Sequence, residues 1–418
     1  MTSADRSETT KAAPRDWQIA AAGFCGQTAS AMGFLSFPLF APALAQATGL
    51  NERDFSFATT FVFFAATLAS PYAGRLTRQL GSVRAMVVLF IGMAAGMLLT
   101  AGGMWATAML AGFVFGIFYG AFQPVSSMVV ATRTSPRRRG MWLAVRQSGV
   151  PFAGALAGRI LPPVILAFGL FAGVLTVSAA MVLGAIAVCL LPSLYRAPTG
   201  ETAARTAAVP KGSAISRFIG RYRLPGIMQW VAISAVGFAI IHLALASFGY
   251  FFLIEELGFS QVAAGIFLSN VLLAAALGRP VMGWLVDRTG SPVFVLGVVA
   301  LLAAVAFVMM LNIDIHSPPA FLLATAVMGG ISSNTWTPVF LAAAAQASPA
   351  GQVTEFTGRA FAYAAIGWML AAPVMWTGIE LSGGYRTPFH VLIAVTLTMS
   401  ALFFLMSRRP LRPALEGG

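Results

Sequence analysis

The chain has 418 residues, of which 58% are hydrophobic and only 9% are charged, and its mean hydropathy is +0.82. A soluble core of this length needs far less apolar surface, so the composition excludes a soluble globular protein and predicts a polytopic membrane protein. The net charge of +13 does not indicate nucleic-acid binding, because the basic residues are spread over several loops. Anionic lipid headgroups are their expected partners.

A transmembrane helix needs about 20 mostly apolar residues, and we count about twelve such runs along the chain. They begin near Trp17, Arg53, Val83, Trp105, Arg139, Gly169, Pro225, Gln261, Pro292, Pro319, Glu355 and Tyr385. The fold class predicted is an all-α membrane bundle of these helices in two pseudo-symmetric six-helix halves. The expected divisions are a tail (1–16), a first bundle (17–192), a linker (193–224), a second bundle (225–407) and a tail (408–418).

Basic residues mark alternate loops, the linker and both tails, whereas acidic residues mark the intervening loops. Short cytoplasmic loops collect Lys and Arg, so we expect both termini in the cytoplasm and the protein in a bacterial-type inner membrane. Residues 1–16 are polar, so no cleavable signal peptide is expected before the first span. Within the linker, residues 213–223 are typical of a helix lying in the headgroup layer or of a flexible connector.

Two segments, Ser70–Gly81 and Arg279–Gly290, repeat one another at a distance of 209 residues. A duplicated membrane bundle is how many secondary transporters are built. The second copy, Gly283-x-x-x-Asp287-Arg288-x-Gly290, resembles the loop signature of the major facilitator superfamily. This resemblance implies the twelve-helix major facilitator fold, in which Asp287 and Arg288 gate the inner side and Gly283 and Gly74 allow close helix contact. In the first copy, Arg78 stands at the position of the acid.

Three short elements are similar to the monocarboxylate porter and oxalate/formate antiporter branches of that superfamily. They are Arg137-Arg138-Arg139, Gln147-Ser148-Gly149-Val150-Pro151 and Gly278-Arg279-Pro280. The resemblance implies that Arg279 binds a substrate carboxylate, and a guanidinium does supply two parallel hydrogen bonds to such a group. An arginine at membrane depth costs about 2.5–3.5 kcal/mol, so it normally faces a wet cavity or a partner. The alternative is that Arg279 reaches the membrane interface or pairs structurally.

Arg146 in the fifth span has two interpretations. If its side chain faces the cavity, Arg146 and Arg279 could together bind a dicarboxylate or another dianion across the interface between the halves. Otherwise its side chain extends to the lipid headgroups. Further polar and aromatic residues inside the predicted spans describe a modestly polar cavity. They are Gln27, Ser30, Tyr119, Gln123, Asn270, Asn334, Trp336 and Tyr363. Of these, we expect Tyr119, Asn270 and Tyr363 to orient or stack on the substrate.

Proton coupling through a buried carboxylate is not expected, because every Asp and Glu falls at a predicted helix end or in a loop. Ala275 stands where the monocarboxylate porters place an acid, one turn before Arg279. His242 is the one predicted intramembrane group that titrates near neutral pH. It serves either as the coupling residue or as a neutral histidine bonded within the bundle. The coupled species is accordingly protons or a counter-transported anion.

The function favoured by the sequence is secondary active transport of a small organic anion, a mono- or dicarboxylate, by alternating access. Efflux of amphipathic drugs is the alternative, suggested by the glycine- and proline-containing stretch 149–158 and a Met- and Phe-rich interior. A transporter-like sensor would leave the same sequence pattern. No nucleophile–base pair, phosphate loop or metal-spaced cluster appears, so we expect no enzyme activity, no cofactor and no metal. The protein is expected to be monomeric.

Overall fold

The computed structural model describes residues 15–50, 52–196, 220, 222–349, 351–409 and 411. All regular structure in these residues is helical. Eight helical stretches are long and apolar enough to span a membrane. The predicted linker 193–224 and the two tails lie largely outside the described residues, and so does the segment 213–223.

Among the described residues, six α-helices form the first half of the bundle, and a one-turn helix, Pro192–Tyr195, follows them. Two of them contain a break, because Gly81 (φ 72°) and Gly169 (φ 82°) adopt a conformation that favours glycine. These breaks divide the apolar stretches Phe57–Gly102 and Pro136–Leu190 into two crossings each. The helices are α1 (Asp16–Thr48), α2 (Glu52–Ala69), α3 (Ala73–Leu98), α4 (Trp105–Arg133), α5 (Arg139–Gln147) and α6 (Gly149–Leu190).

Seven α-helices form the second half. The first of them continues through the π-helical turns Ala244–Phe248 and Phe252–Glu256. The fourth and fifth meet at Thr335 and together make one crossing. The helices are α7 (Ile227–Leu243), α8 (Gln261–Thr289), α9 (Pro292–Leu311), α10 (Pro319–Asn334), α11 (Trp336–Ala347), α12 (Val353–Ser382) and α13 (Arg386–Met406). The predicted all-helical bundle of twelve crossings is confirmed.

Small residues set the closest helix contacts in both halves. A Cβ added to Gly116 of α4 would lie 2.2 Å from the Val62 carbonyl oxygen of α2. A Cβ added to Gly330 of α10 would lie 2.2 Å from the Val271 carbonyl oxygen of α8. The backbones can approach this closely only where side chains are absent. The α10–α8 contact thus repeats the α4–α2 contact and preserves the internal symmetry.

The two halves pack together at the end of the bundle that bears most arginines, which we name the basic end. There α5 packs against α8 and α11, while α12 packs against α2, α3 and α4. Towards the middle of the bundle, the Phe63 ring of α2 lies 5.2 Å from the Trp368 ring of α12. The structure is therefore closed at the basic end. The arginines of this end include Arg75, Arg78, Arg84, Arg133, Arg137, Arg138, Arg139, Arg288, Arg359, Arg408 and Arg409.

Candidate functional site

Arg146, in the last turn of α5, is fully buried, with 0% of its surface exposed. Its guanidinium donates to the Gln27 side chain of α1. It also donates to Gln123 Oε1 at 3.3 Å, Ser127 Oγ at 2.8 Å and Ser126 Oγ at 3.3 Å, all on α4. All four partners are neutral, so none of them balances the charge. The interpretation in which Arg146 extends to the lipid headgroups is wrong.

Arg279 supplies a second buried guanidinium, from α8 in the other half, with 3% of its surface exposed. Its Nε donates to the Asn334 carbonyl oxygen at 3.0 Å, and its Nη1 donates to the Gln147 carbonyl oxygen across the two halves. Its Nη2 makes no hydrogen bond within the described part of the chain. Arg279 and Arg146 are close enough for their charges to interact. Both bonds of Arg279 go to backbone oxygens, which carry no net charge.

Several buried donors around these arginines have no acceptor among the described residues. They are Gln27 Nε2, Gln123 Nε2, Arg146 Nε and the indole nitrogen of Trp336. A buried donor without a partner costs about 1–3 kcal/mol, so such groups normally have one. The Gln147 side-chain oxygen is an unpaired acceptor in the same region. The excess of donors suits a ligand whose oxygen atoms only accept hydrogen bonds.

No acidic residue within the described bundle neutralises the two arginines. The three salt bridges of the described residues involve other arginines. The described residues also contain no group of three or more His, Cys, Asp or Glu that could hold a metal ion. The acids of the described ranges lie close to helix ends or in loops and are Asp16, Glu52, Asp54, Glu255, Glu256, Asp287, Asp314, Glu355 and Glu380.

Tyr119 lies one turn before Gln123 on α4 and is 3% exposed. Its ring stacks on Phe115 at 5.7 Å and lies 6.4 Å from the Phe361 ring of α12. It is close enough to both arginines for electrostatic interaction. The structure thus brings Arg146, Arg279, Tyr119 and Gln123 together, as the sequence suggested.

Asn270 does not join this group, and its assignment to the central cavity is corrected. It precedes Arg279 by nine residues, which at about 100° per residue places it on the opposite face of α8. There it lines a lateral apolar cavity of about 360 Å³ with Leu273 and Leu277, which are 60% and 67% exposed. Helical periodicity alone would have excluded it.

Three other predicted site residues form contacts of their own. Asn334 is buried, but its side chain donates to Ser333 Oγ at 2.8 Å, so only its backbone meets Arg279. His242 Nδ1 lies 3.2 Å from the Ser333 carbonyl oxygen. The Tyr363 hydroxyl accepts from Gln229 Nε2 at 2.7 Å and donates to the carbonyl oxygen of Tyr222 at 3.2 Å. The substrate and coupling roles of these residues stay predictions.

Asp287 joins the two halves at the basic end. Its carboxylate accepts from the backbone amides of Gly140 at 2.7 Å and Met141 at 2.9 Å, in the first turn of α5. These amides have no partner within their own helix, and the helix dipole favours a negative charge there. A Cβ on Gly283 would lie 2.6 Å from the Gly140 carbonyl oxygen, so glycine is required for this approach. Arg288 instead lies exposed, 5.6 Å from the Trp284 ring, and does not cross to the other half.

The first copy of the repeat, Ser70–Gly81, also contacts the start of a helix in the other half, but with a basic residue in place of Asp287. Arg78, at the position of Asp287, pairs with Glu355 in the first turn of α12 at 3.0 Å. Glu355 also pairs with Arg359 at 2.5 Å. A Cβ on Gly74 would lie 2.8 Å from the Glu355 Cβ, as at Gly283 in the second copy. Sequence reasoning missed Glu355, although an acid near the start of the span facing Arg78 was the available signal.

Residues 23–315 and 253–418 match the family model described as Major Facilitator Superfamily. The chain is 25% identical over 394 residues to a probable nitrate/nitrite transporter, NarK2, of Mycobacterium tuberculosis; this covers 91% of the chain and 95% of the relative. It is similar in fold to the fucose:proton symporter FucP of Escherichia coli (TM-score 0.70, 18% identity, covering 94% of this chain and 98% of the symporter). It also resembles the human organic anion transporter MFSD10 (TM-score 0.70, 16% identity, covering 93% and 100%).

Proposed function

Because the chain belongs to the major facilitator superfamily and is therefore a multi-pass membrane transporter and not an enzyme, we propose that it carries a small oxyanion. The candidate substrates are carboxylates, as the branch resemblance implied, and nitrate or nitrite, as the name of the Mycobacterium tuberculosis relative suggests. The observation that carries the proposal is the pair of buried arginines, one from each half, with no acidic counter-ion among the described residues.

An oxyanion supplies what this site lacks. Its charge would offset the two guanidinium groups, and its oxygen atoms would accept from Arg146 Nε and the free amide groups of Gln27 and Gln123, and from Arg279 Nη2, which has no bond among the described residues. Hydrogen bonds between a charged donor and a charged acceptor are the stronger ones, and planar guanidinium groups match planar carboxylate or nitrate geometry. The Tyr119 ring would close one side of the site. A small, flat anion therefore fits better than a bulky one.

The different anchoring of the two arginines supports transport by alternating access. Arg146 is bonded to partners of its own half, whereas the Nη1 bond of Arg279 to Gln147 crosses between the halves. That bond must break when the basic end opens, so Arg279 then moves away with the second half. The anion would thus be gripped by both guanidinium groups only while the halves are together, and released as they separate.

We propose that the two contacts of opposite charge, Asp287 with the start of α5 and Arg78 with Glu355, hold the basic end closed. By the distribution of basic residues, this end is cytoplasmic and the protein lies in the inner membrane with both termini inside. The moving units are then the predicted bundles 17–192 and 225–407. The coupled species is a proton carried by His242 or a counter-transported anion.

Efflux of hydrophobic cations, the alternative, is disfavoured by the same two charges. A cation in the central site would meet two uncompensated guanidinium groups in a medium of low dielectric constant, where like charges repel strongly. Arg146 and Arg279 would then have to be neutralised by a further group.

Thermal unfolding of the purified protein tests the proposal directly. A ligand at 100 times its dissociation constant stabilises the folded state by about 2.7 kcal/mol. We expect nitrate, nitrite or small carboxylates to raise the unfolding temperature, and Arg279→Gln and Arg146→Gln to remove this effect. The control Arg84→Gln changes an exposed arginine of the basic end and should keep it. Stabilisation by hydrophobic cations, with none from anions, would make drug efflux the leading function.

A further inference from the structure

A second site for anions lies at the basic end, outside the central cavity. It is a cavity of about 540 Å³ between the start of α5, the α8–α9 connection, the end of α11 and the end of α13. No acidic residue lines it within the described part of the chain. Its polar lining consists of Arg139, Ser291, Gln346, Ser407, Arg408 and Arg409.

Two independent features make this cavity electropositive. The first is three guanidinium groups, and neither Arg408 nor Arg409 takes part in any salt bridge of the described residues. The second is the N-terminus of α9: Ser291 is its N-cap residue, and Val293 of its first turn lines the cavity. Pro292 has no N–H and the Phe294 amide already donates to Ser291 Oγ, so this helix start contributes mainly the positive end of the helix dipole. The nearby acid, Asp287, accepts from two α5 amides and interacts electrostatically with Arg139, so the charges of Arg408 and Arg409 are the ones that no described acid balances.

We propose that this cavity binds a phosphate group, supplied either by the headgroup of an anionic phospholipid or by free phosphate. Arginine forks and a helix N-terminus are both suited to phosphate oxygens. The apolar lining residues Val293 and Leu411 lie beside the polar groups, an arrangement that fits the boundary between a headgroup and its lipid chains. Basic pockets at this level of a membrane protein bind anionic headgroups.

The wall of the cavity includes both halves of the bundle. Arg139 is the first residue of α5 in the first half, whereas Ser291, Arg408 and Arg409 belong to the second. An anion that contacts both sides would tie the start of α5 to the α8–α9 connection, beside the Asp287 contact. Phosphate binding therefore favours the state that is closed at the basic end. This inference does not depend on which substrate occupies the central site.

Lipid binding to the full-length protein in detergent micelles tests the proposal. We expect phosphatidylglycerol added to the micelles to raise the unfolding temperature, whereas phosphatidylcholine should not. The double variant Arg408→Gln/Arg409→Gln should need at least about tenfold more phosphatidylglycerol for the same shift, since two phosphate contacts are lost. The matched control Arg75→Gln/Arg84→Gln removes the same charge from two exposed arginines of the basic end outside the cavity, and should bind like the unaltered chain.

Inorganic phosphate, titrated at constant ionic strength, separates the two sources. A shift with phosphatidylglycerol alone supports a headgroup site, and a shift with both supports a general phosphate site. Arg408→Lys/Arg409→Lys should retain most of the binding and shows that charge, and not folding, is responsible. Equal weakening in the cavity and control variants would mean general surface attraction and would overturn the proposal. So would the absence of a shift with either ligand.

Discussion

The ion pair between Arg78 and Glu355 should contribute measurably to closure of the basic end. Arg78 Nη1 lies 3.0 Å from Glu355 Oε2, and the two side chains are 22% and 14% exposed. The pair joins the two halves and must break when this end opens. The neighbouring pair of Glu355 with Arg359 lies within α12 and persists in both states. Arg78→Gln therefore removes an interaction that exists only in the closed state.

The size of the effect follows from burial. A hydrogen bond to a charged group contributes about 1.5–3 kcal/mol, and a fully exposed ion pair only about 0.2–1 kcal/mol. A pair as buried as this one should fall between these ranges, at about 1–2 kcal/mol. Since 1.4 kcal/mol corresponds to a factor of ten, Arg78→Gln should raise the ratio of open to closed protein about 5- to 30-fold. Glu355→Gln should act similarly, and the double variant should match the single ones.

A cysteine at Ser70 can report the opening. Ser70 is 0% exposed, and its carbonyl oxygen would lie 2.2 Å from a Cβ on Gly358 of α12, so it lies at the contact between the halves. Ser70→Cys is introduced after Cys25→Ala and Cys189→Ala, and a membrane-impermeant thiol reagent is applied to the basic end. The labelling rate should rise with the open fraction. Arg75→Gln, which removes an exposed arginine from α3, the helix that also carries Arg78, should leave the labelling rate unchanged.

Two results would refute this reasoning. The labelling rate could stay the same in Arg78→Gln, which would mean that the pair contributes nothing to closure. Alternatively, Arg78→Gln/Glu355→Gln could show the product of the two single effects. That outcome would mean that the two residues act independently and that their contact carries no coupling energy.

Three further predictions concern other contacts. Gly140→Ala should destabilise the closed state by about 1–3 kcal/mol, because its Cβ would lie 2.7 Å from a backbone oxygen of α8. The labelling rate at Ser70→Cys should then rise. Gly158→Ala, whose Cβ would have no neighbour within 4 Å, is the control in the same labelling assay. His242→Gln should remove the pH dependence of uptake, and an unchanged pH profile would exclude it as the proton carrier. Burial, together with the 2.5 Å bond to Glu255, raises the pKa of Tyr385 above its usual 10.0. The raised pKa means that the protonated Tyr385 hydroxyl stabilises the folded state, fully below about pH 10 and less as the pH rises above it. The free energy of unfolding of the unaltered chain should therefore approach that of Tyr385→Phe in alkaline unfolding experiments.

The fold was largely predictable because membrane crossings depend on local properties. Apolar run length and the bilayer thickness determine where a helix can span. Two transmembrane helices were predicted to start near Val83 and Gly169. The backbone leaves the helical conformation at Gly81, two residues before the first predicted start, and at Gly169, the second predicted start. No tertiary information is needed for such a prediction.

The site was predictable only in part, because its contacts join distant segments. The sequence identified Arg146, but a long side chain can point inward or toward the headgroups, and only its bonds to Gln27 and Gln123 decide this. Arg78 pairs with Glu355, 277 residues away; the sequence shows an acid at the start of that span, but no local pattern joins it to Arg78. Asn270 is a different case, since its angular position relative to Arg279 was available from the sequence.

Flux through reconstituted proteoliposomes tests the central claim, that two buried arginines make this chain a carrier of small anions. Uptake of labelled nitrate, nitrite or a small carboxylate is measured for the unaltered chain, for Arg146→Gln, for Arg279→Gln and for the exposed control Arg84→Gln. The account predicts saturable uptake of at least one of these anions, abolished by either central substitution and retained in the control. Saturable uptake that survives loss of both buried arginines, or transport of hydrophobic cations in place of anions, would contradict it.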